Sequence, residues 1–358
     1  MIAGGGTGGH IYPAIAIGKS LVDLDSQCQV RFVGTELGLE KKIMTKENLP
    51  LDLIQSGKLN YSGHPLKKLR TFFSIVAGFF QSLKLLRRHQ PVFVLGVGGY
   101  ASAPFLLASS LCGIPSAIWE PNAHPGMANR LLSRFVKNAY LVFAEAHKEL
   151  KSKNTKILGM PLRQEIERAQ TENKKTLSNK LRILCFGGSQ GSVFLNTQLS
   201  DFLIANTELH DQIHVVHQTG IQDYVNMQKK YSGLTCVEVH EFIFDMPLYY
   251  QNADIQFCRG GASTIAEAAC FGIIPIVVPL PAADDHQQKN AEVLVQKNAG
   301  FIMIQKQFDQ KQFKKIILQL MTDLKLRETM SENLKKLAPV KAAQSIAADI
   351  LKQIDVKK

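Results

Sequence analysis

The stretch Cys258-Arg-Gly-Gly-Ala-Ser-Thr-Ile-Ala-Glu-Ala-Ala-Cys-Phe-Gly272, followed by Ile273-Ile-Pro-Ile-Val-Val-Pro279 and Leu280-Pro-Ala-Ala-Asp-Asp-His-Gln-Gln288, decides how the chain is read. Ala253 to Phe257 predicts a short buried strand before it. Gly260 and Gly261 permit a sharp turn with no side chain in the way. Ala262 to Phe271 is a run of good helix formers with Ser263 and Thr264 in its first turn, and Gly272 stops it. Ile273 to Val278 predicts the next buried strand. The result is a strand, glycine turn, helix and strand, with hydroxyls and open backbone N–H groups at the helix start. Such an end carries roughly half a positive charge and suits a phosphate. Glu267 lies one helical turn past Ser263 and Thr264 and faces the same way. A carboxylate there repels a phosphate but accepts two hydrogen bonds from a ribose diol. The plainer alternative is a turn that only packs helix on sheet.

The same grammar recurs outward. Met1 to Ala3 supply only the tail of a strand, which reads as a truncated start, before Gly4-Gly-Gly-Thr-Gly-Gly-His10. Ile11 to Leu24 predicts a helix and Gln29 to Gly34 a second strand. Glycines 4, 6 and 9 formally match G-x-G-x-x-G, with Glu36 beyond the second strand, a weak dinucleotide signal. The alternative is a cleft for an acceptor with His10 at its edge, or a helix start where His10 has no chemistry. Val92 to Gly96 is a strand, Gly98-Gly99-Tyr100-Ala-Ser102 a second glycine turn, and Ala103 to Leu111 a helix. Ser116 to Glu120 is another strand; Glu120 at its end is either a ligand-facing or a capping acid. Lys137 to Phe143 and Thr155 to Leu158 predict further strands. Residues 164–180 read as a surface connection. Arg182 to Phe186 then restarts the pattern ahead of Gly187-Gly-Ser-Gln-Gly191. Strands at His214 to Gln218 and Thr235 to Val239 follow, and later a helix at Gln288 to Lys297 and a strand at Phe301 to Ile304.

The chain has 358 residues, 45% hydrophobic and 20% charged, enough for two globular domains. Its formal charge of +12 favours an anionic partner. The six cysteines are scattered with no Cys-x-x-Cys pair and read as buried thiols of a reducing compartment. No signal peptide is visible, because the first residues go straight into a glycine loop. Pro91 to Trp119 holds no charge and is long enough to span a bilayer. Its glycines and Pro104 and Pro115 break a lipid-exposed helix, so it reads as strand, loop, helix and strand. Pro65 to Gln90 predicts a helix with Phe72, Ile75, Val76, Phe79, Leu83 and Leu86 on one stripe. Phe73, Ala77 and Phe80 widen that stripe, while Lys67, Lys68, Arg70, Lys84, Arg87 and Arg88 bracket it. It is either a core helix or one that also touches a membrane, with Phe73, Phe80 and Phe79 the outward candidates in that order.

Two α/β domains of Rossmann-like parallel sheets facing a cleft form the GT-B glycosyltransferase fold. The chain resembles the family of bacterial N-acetylglucosaminyltransferases that convert lipid I to lipid II in peptidoglycan synthesis. The resemblance runs nearly end to end, through Gly5–His10, Gly98–Ser102, Gly187–Gly191, Glu241-Phe-Ile243, Arg259–Glu267 and Gln287-Gln288. It implies an N-terminal acceptor and membrane-associating domain over 1–162 and a UDP-GlcNAc domain over 163–340. A C-terminal helix over 341–358 is expected to pack back on the first. It further implies that Glu267 holds the ribose and Ile243 lies beside uracil. Ser189, Ala262, Ser263 and Thr264 surround the diphosphate, Ile265 and Ala266 belong to the UDP-GlcNAc site, and Arg163 is a donor-site cation. Gln288 with Gln287 reads the sugar hydroxyls, and Thr7, Gly8, Gly9 and Asn122 close over the donor. Gly98, Gly99 and Tyr100 belong to the lipid I side, with His10 and Glu120 the two candidate bases.

The implied reaction is inverting, with no cofactor and no obligatory metal; Asp284-Asp285 is then a helix start. The implied partners are UDP-GlcNAc, lipid I, an anionic cytoplasmic membrane surface and other cell-wall proteins, not nucleic acid. The implied location is peripheral, on the cytoplasmic face of the inner membrane. Where the family has His-Glu-Gln-Asn this chain has Trp119-Glu-Pro-Asn122, which leaves the setting of Glu120 open. A nicotinamide-dependent oxidoreductase, a 2-epimerase or glycolipid synthase of the same fold, and a non-catalytic binding protein are the competing readings.

Overall fold

A computed structural model describes residues 1–36, 38–57, 65–172, 178–282, 284–339 and 341–355. The chain divides into two compact units, Met1–Arg163 with Lys341–Lys358, and Gln164–Val340.

The first unit begins β1 (Ile2–Ala3), α1 (Gly8–Leu24), β2 (Phe32–Gly34), α2 (Glu40–Lys46), β3 (Leu51–Leu53), α3 (Pro65–His89) and β4 (Val94–Gly96). It continues α4 (Ser102–Leu111), β5 (Ser116–Glu120), α5 (Met127–Leu132), β6 (Asn138–Leu141) and β7 (Asn154–Ile157). The sheet is parallel in the order β3-β2-β1-β4-β5-β6-β7. Parallel strands are covered on both faces, so Val94–Gly96 and Ser116–Glu120 are buried throughout, the latter including its terminal Glu120. Phe105, Leu106, Ile118 and Leu141 centre the core. Two-residue β1 still pairs with both β2 and β4, registering Ile2 against Phe32 and Leu95. The uncharged span 91–119 is strand, glycine turn, helix and strand, as its composition requires.

The second unit runs α6 (Gln164–Glu172), β8 (Leu181–Phe186), α7 (Val193–Ala205), β9 (Ile213–Gln218), α8 (Tyr224–Lys230), β10 (Val237–His240), α9 (Met246–Asn252), β11 (Ile255–Cys258), α10 (Ala262–Phe271) and β12 (Ile274–Val277). It closes with α11 (His286–Gln296), β13 (Phe301–Ile302), α12 (Gln310–Thr322) and α13 (Leu324–Lys335). Its parallel sheet is ordered β10-β9-β8-β11-β12-β13. Phe202, Phe257 and Phe313 meet in its core, with ring centroids 4.8–5.1 Å apart in tilted and edge contacts.

Helix α14 (Ala342–Asp355) belongs to the first unit. It packs along α1, and Tyr140 O–H donates to Asp349 at 2.9 Å while Gln353 donates to Tyr140 Oη at 2.9 Å. Lys156 also pairs with Asp349.

Three expectations change. Residues 164–172 are helical, because Ile166 and Ala169 stand one turn apart and both bury; residues 173–177 of the expected connection lie outside those described. On α3, Phe73 and Phe80 point outward as expected, at 61% and 63% exposure. Phe72, assigned to the core stripe, is also exposed, and Phe79 packs inward. The side chains of Lys67 and Lys68 lie outside those described. Four cysteines are buried, but Cys112 is exposed and Cys28 half-buried.

Candidate functional site

In an open parallel sheet, ligands bind beyond the C-terminal strand ends where the strand order reverses. The first sheet reverses between β1 and β4, and the second between β8 and β11. All four of those strands end in the glycine stretches picked out in the sequence. This coincidence puts each glycine turn where ligands bind in sheets of this kind.

In the first unit the two loops are tied to each other. Gly5 N–H donates to Gly98 O at 3.2 Å. Ser102 Oγ accepts from Gly98 N–H at 3.0 Å and donates to Ala3 O at 2.7 Å. His10, in the first turn of α1, lays its ring over Gly98; a Cβ at Gly98 would stand 2.8 Å from its Cδ2 and Nε2. Thr7 Oγ1 lies 3.3 Å from His10 Nδ1, so the threonine orients the ring. Thr7 and Gly9 are exposed, and Gly8, His10, Gly99 and Tyr100 half-buried, while Gly98 is buried. Ser56 donates to Tyr100 O at 2.7 Å, anchoring the second loop from β3's side of the sheet.

Glu120 closes β5 and is only 1% exposed. Its Oε1 accepts from Asn122 N–H and Nδ2, and its Oε2 from Gly126 N–H and Asn129 Nδ2. Trp119, standing where the family has histidine, is fully buried with Nε1–H directed at Gly159 O. Trp119 is thus a core residue here, and the Glu120 side chain turns into its own loop. Arg163 falls in the first unit, its guanidinium 5.9 Å from the centre of the Tyr12 ring.

In the second unit α10 starts at Ala262 after Gly261, and no described side chain caps it. Helix starts carry unpaired N–H groups, which here face the glycine turn. Ala262, Ile265 and Ala266 are buried packing positions, whereas Ser263, Thr264 and Glu267 are half-buried. Glu267 Oε2 accepts from Tyr250 O–H at 2.8 Å. Tyr250 is 1% exposed and stacks on Phe271 at 5.5 Å, so the carboxylate is held by a rigid partner. Ile243 is buried; its N–H donates to Gln218 Oε1 at 2.9 Å, and Gln218 Nε2 donates to Gly188 O at 3.0 Å. Gln218 thus joins the loop after β8 to the loop after β10. Ser189 is exposed in that first loop.

Gln287 and Gln288 part company. Gln287 Oε1 accepts from Gly260 N–H at 3.0 Å and Leu280 N–H at 2.9 Å. A Cβ on Gly260 would meet Gln287 O at 2.4 Å, so this close approach explains the glycine. Gln287 therefore braces the turn through its amide oxygen, while Gln288 is half-buried with Nε2 bonded to Glu292 at 3.0 Å. Asp285 stands at the N-cap of α11 and Asp284 lies 3.5 Å from His286. Among the described residues no group of three His, Cys, Asp or Glu is placed to hold a metal ion.

Several residues escaped the sequence reading. Arg259 is 9% exposed, and among the described residues its guanidinium bonds neutral groups: Val278 O, Pro279 O, Gln305 Oε1 and Ser192 Oγ. Burial pulls its pKa down from the usual value. A buried cation beside an uncapped helix start raises the positive potential there. Its place at the head of the Arg259–Glu267 motif was the available signal. Tyr250, Gln218 and Asn129 gave none, because each acts on a residue distant in sequence.

Fold and sites together define a glycosyltransferase of two parallel-sheet units. Residues 1–141 match the glycosyltransferase family 28 N-terminal domain and residues 182–354 its C-terminal domain, and the chain belongs to that family. It is 51% identical over 352 residues to the UDP-N-acetylglucosamine–N-acetylmuramyl-(pentapeptide) pyrophosphoryl-undecaprenol N-acetylglucosamine transferase of Bdellovibrio bacteriovorus, covering 98% of each chain. The enzyme of the same name from Myxococcus xanthus is 36% identical, with 97% and 91% covered. The crystal structure of Acinetobacter baumannii MurG superposes with a TM-score of 0.81 at 30% identity, covering 98% of this chain and 99% of that one. A UDP-GlcNAc 2-epimerase from Neisseria meningitidis shares the fold, at a TM-score of 0.69 and 14% identity.

Proposed function

We propose that the protein transfers N-acetylglucosamine from UDP-GlcNAc to the 4-hydroxyl of the muramoyl sugar of lipid I, giving lipid II and UDP with inversion. The observation that carries this reading is the second unit's switch point. An uncapped helix start beside a buried arginine is followed, one turn on, by a carboxylate fixed by Tyr250. That sequence of charges fits a nucleotide diphosphate followed by a ribose diol.

The α10 N–H groups, with Ser263, Thr264, Ser189 and the field of Arg259, take the diphosphate. Glu267 accepts from the ribose hydroxyls, and uracil lies beside Ile243. Gln288 reads the sugar, since the Gln287 oxygen is committed to the Gly260 turn. The first unit takes lipid I near Gly98, Gly99 and Tyr100. Thr7, Gly8, Gly9, Asn122 and Arg163 keep the roles toward the donor that the family pattern gives them.

The proton of the muramoyl hydroxyl passes to a base of the first unit, of which His10 has the better geometry. As the oxygen bonds to the anomeric carbon, the bond to the phosphate oxygen breaks. Its electron pair leaves with UDP, whose charge the helix start and Arg259 stabilise.

A lipid-linked acceptor is found at a membrane surface. Among the described helices, Leu69–His89 is long and apolar enough to cross a bilayer by length and composition. Its exposed Leu69, Phe72, Phe73 and Phe80, with Lys84, Arg87 and Arg88 exposed at one end, support a helix that docks on an anionic leaflet instead. Release of UDP that depends on lipid I tests the activity.

A further inference from the structure

We infer that Glu120 is a positioning residue that holds the 121–126 loop through Asn129, and not the group that takes the acceptor proton. The inference rests on the transferase reading above and deepens it, because Glu120 stands beside His10 as a candidate base in the sequence.

A general base must offer a lone pair to an incoming hydroxyl at hydrogen-bonding distance. A carboxylate has about four acceptor positions. Glu120 gives all four to N–H donors: Asn122 N at 2.9 Å and Nδ2 at 3.2 Å on Oε1, Gly126 N at 3.1 Å and Asn129 Nδ2 at 2.9 Å on Oε2. Three of these donors belong to the loop that follows β5, so the carboxylate acts as its hub. Pro121 contributes no N–H, which leaves the Asn122 amide to make the first closing bond.

Asn129 is the second half of the device. It is 4% exposed, and its Nδ2 donates both to Glu120 and to Trp119 O at 3.1 Å. Its Oδ1 is buried with no hydrogen-bond partner among the described residues. Flipping the amide would place that oxygen against the carboxylate, so Glu120 fixes the orientation of the amide while its Nδ2 holds Glu120. His10 differs on each count: it is half-buried, its ring faces Gly98, and Thr7 orients it from the Nδ1 side.

The test compares Glu120→Gln, Asn129→Ala, their double variant and His10→Ala. Turnover of a soluble short-chain lipid I analogue is followed against pH. Glutamine presents an NH2 group to donors that need an acceptor, so Glu120→Gln should lower kcat roughly 10- to 100-fold. Asn129→Ala should lower it about 10-fold. The double variant should be little worse than Glu120→Gln alone, because both changes break one network. The pH limb set by the base should persist in all three and vanish only with His10→Ala. Formate or azide should not rescue Glu120→Ala.

A lost limb in Glu120→Gln, anion rescue of Glu120→Ala, or a parent-like rate in Asn129→Ala would each overturn the inference. Exchange of the Asn122, Ala123, His124 and Gly126 amides, measured without substrate, reads the same network without turnover. It should quicken in Glu120→Gln and Asn129→Ala, and unchanged exchange overturns the inference. An inactive parent enzyme would instead refute the proposed function, so the two failures are distinct. If Glu120→Gln fails to fold, His10→Ala carries the question of the base, since a pH limb that survives it overturns the inference. Asn129→Ala then carries the loop through rate and amide exchange.

Discussion

Truncating Glu267 gives the sharpest quantitative prediction, because its partner can be altered separately. The carboxylate faces the proposed ribose site and is held from behind by Tyr250 O–H at 2.8 Å. Two hydrogen bonds from a ribose diol to a half-buried carboxylate are charge-assisted, and losing them costs about 2–3 kcal/mol of net binding. Glu267→Ala should therefore weaken UDP by roughly 30- to 150-fold. Tyr250→Phe keeps the ring stacked on Phe271, 5.5 Å away and 19° from parallel, and removes only the O–H. The carboxylate stays but loses its fixed rotamer, an ordering effect of about 1 kcal/mol, or roughly 5-fold in affinity. In the Glu267→Ala background, Tyr250→Phe should cost nothing further, since there is no carboxylate left to orient. Isothermal titration of UDP into the four proteins gives the cycle. Unchanged affinity in Glu267→Ala refutes the ribose assignment. Equal losses from Tyr250→Phe in both backgrounds would show that the tyrosine acts through the fold and not through Glu267.

Three further outcomes follow from the second core, its polar network and α3. Asn196 gives its Nδ2 to Thr219 O and Asp223, so its Oδ1 requires Nε2–H on His217, and Nδ1 accepts from Tyr231 O–H. Burial holds the His217 pKa at about 4, so the unfolded chain takes a proton near pH 6.5 that the folded one refuses. Stability is then lost as pH falls, by about 2 kcal/mol from this residue between pH 7 and pH 5. Urea unfolding of His217→Gln should show that much less pH dependence than the parent, and equal slopes would contradict it. Gln256 is fully buried; its amide faces the Cys258 thiol but meets no nitrogen or oxygen partner among the described residues. Gln256→Leu should raise stability by about 1 kcal/mol in the same assay, and a loss would show a hidden partner. Replacing Lys84, Arg87 and Arg88 together with Gln should release the protein from anionic vesicles at low salt while sparing turnover of a soluble acceptor. Flotation equal to the parent's would make α3 a core helix with solvated ends.

Most of the strand–glycine–helix frame was legible because parallel, doubly covered strands are apolar runs and their turns need glycine. Helix α10 could be bounded to the residue, since Gly261 and Gly272 mark both ends. What escaped was decided by tertiary packing. Leu51–Leu53 is half-buried edge strand with an aspartate at its centre, and nothing local distinguishes it from a loop. Helix α6 is polar except for Ile166 and Ala169, so composition speaks for a connection while burial of those two makes it a helix. The site shows the same division. Ser263, Thr264 and Glu267 could be found because they share one helix face. Whether Gln287 or Gln288 reads a sugar depends on which amide the Gly260 turn claims, and that is a contact across 27 residues. Glu120 at a strand's end signals a ligand by position, yet its four donors are the backbone amides of Asn122 and Gly126 and the side chains of Asn122 and Asn129, a set that no spacing rule anticipates.

The most direct test of the account is turnover with purified protein, UDP-GlcNAc and lipid I in detergent micelles, following UDP release and the lipid product together. The account predicts one UDP per lipid converted, a β-linked disaccharide on the product, and no UDP release when lipid I is left out. UDP released at the same rate without lipid I, an epimerised sugar nucleotide, or tight UDP-GlcNAc binding with no turnover would contradict it.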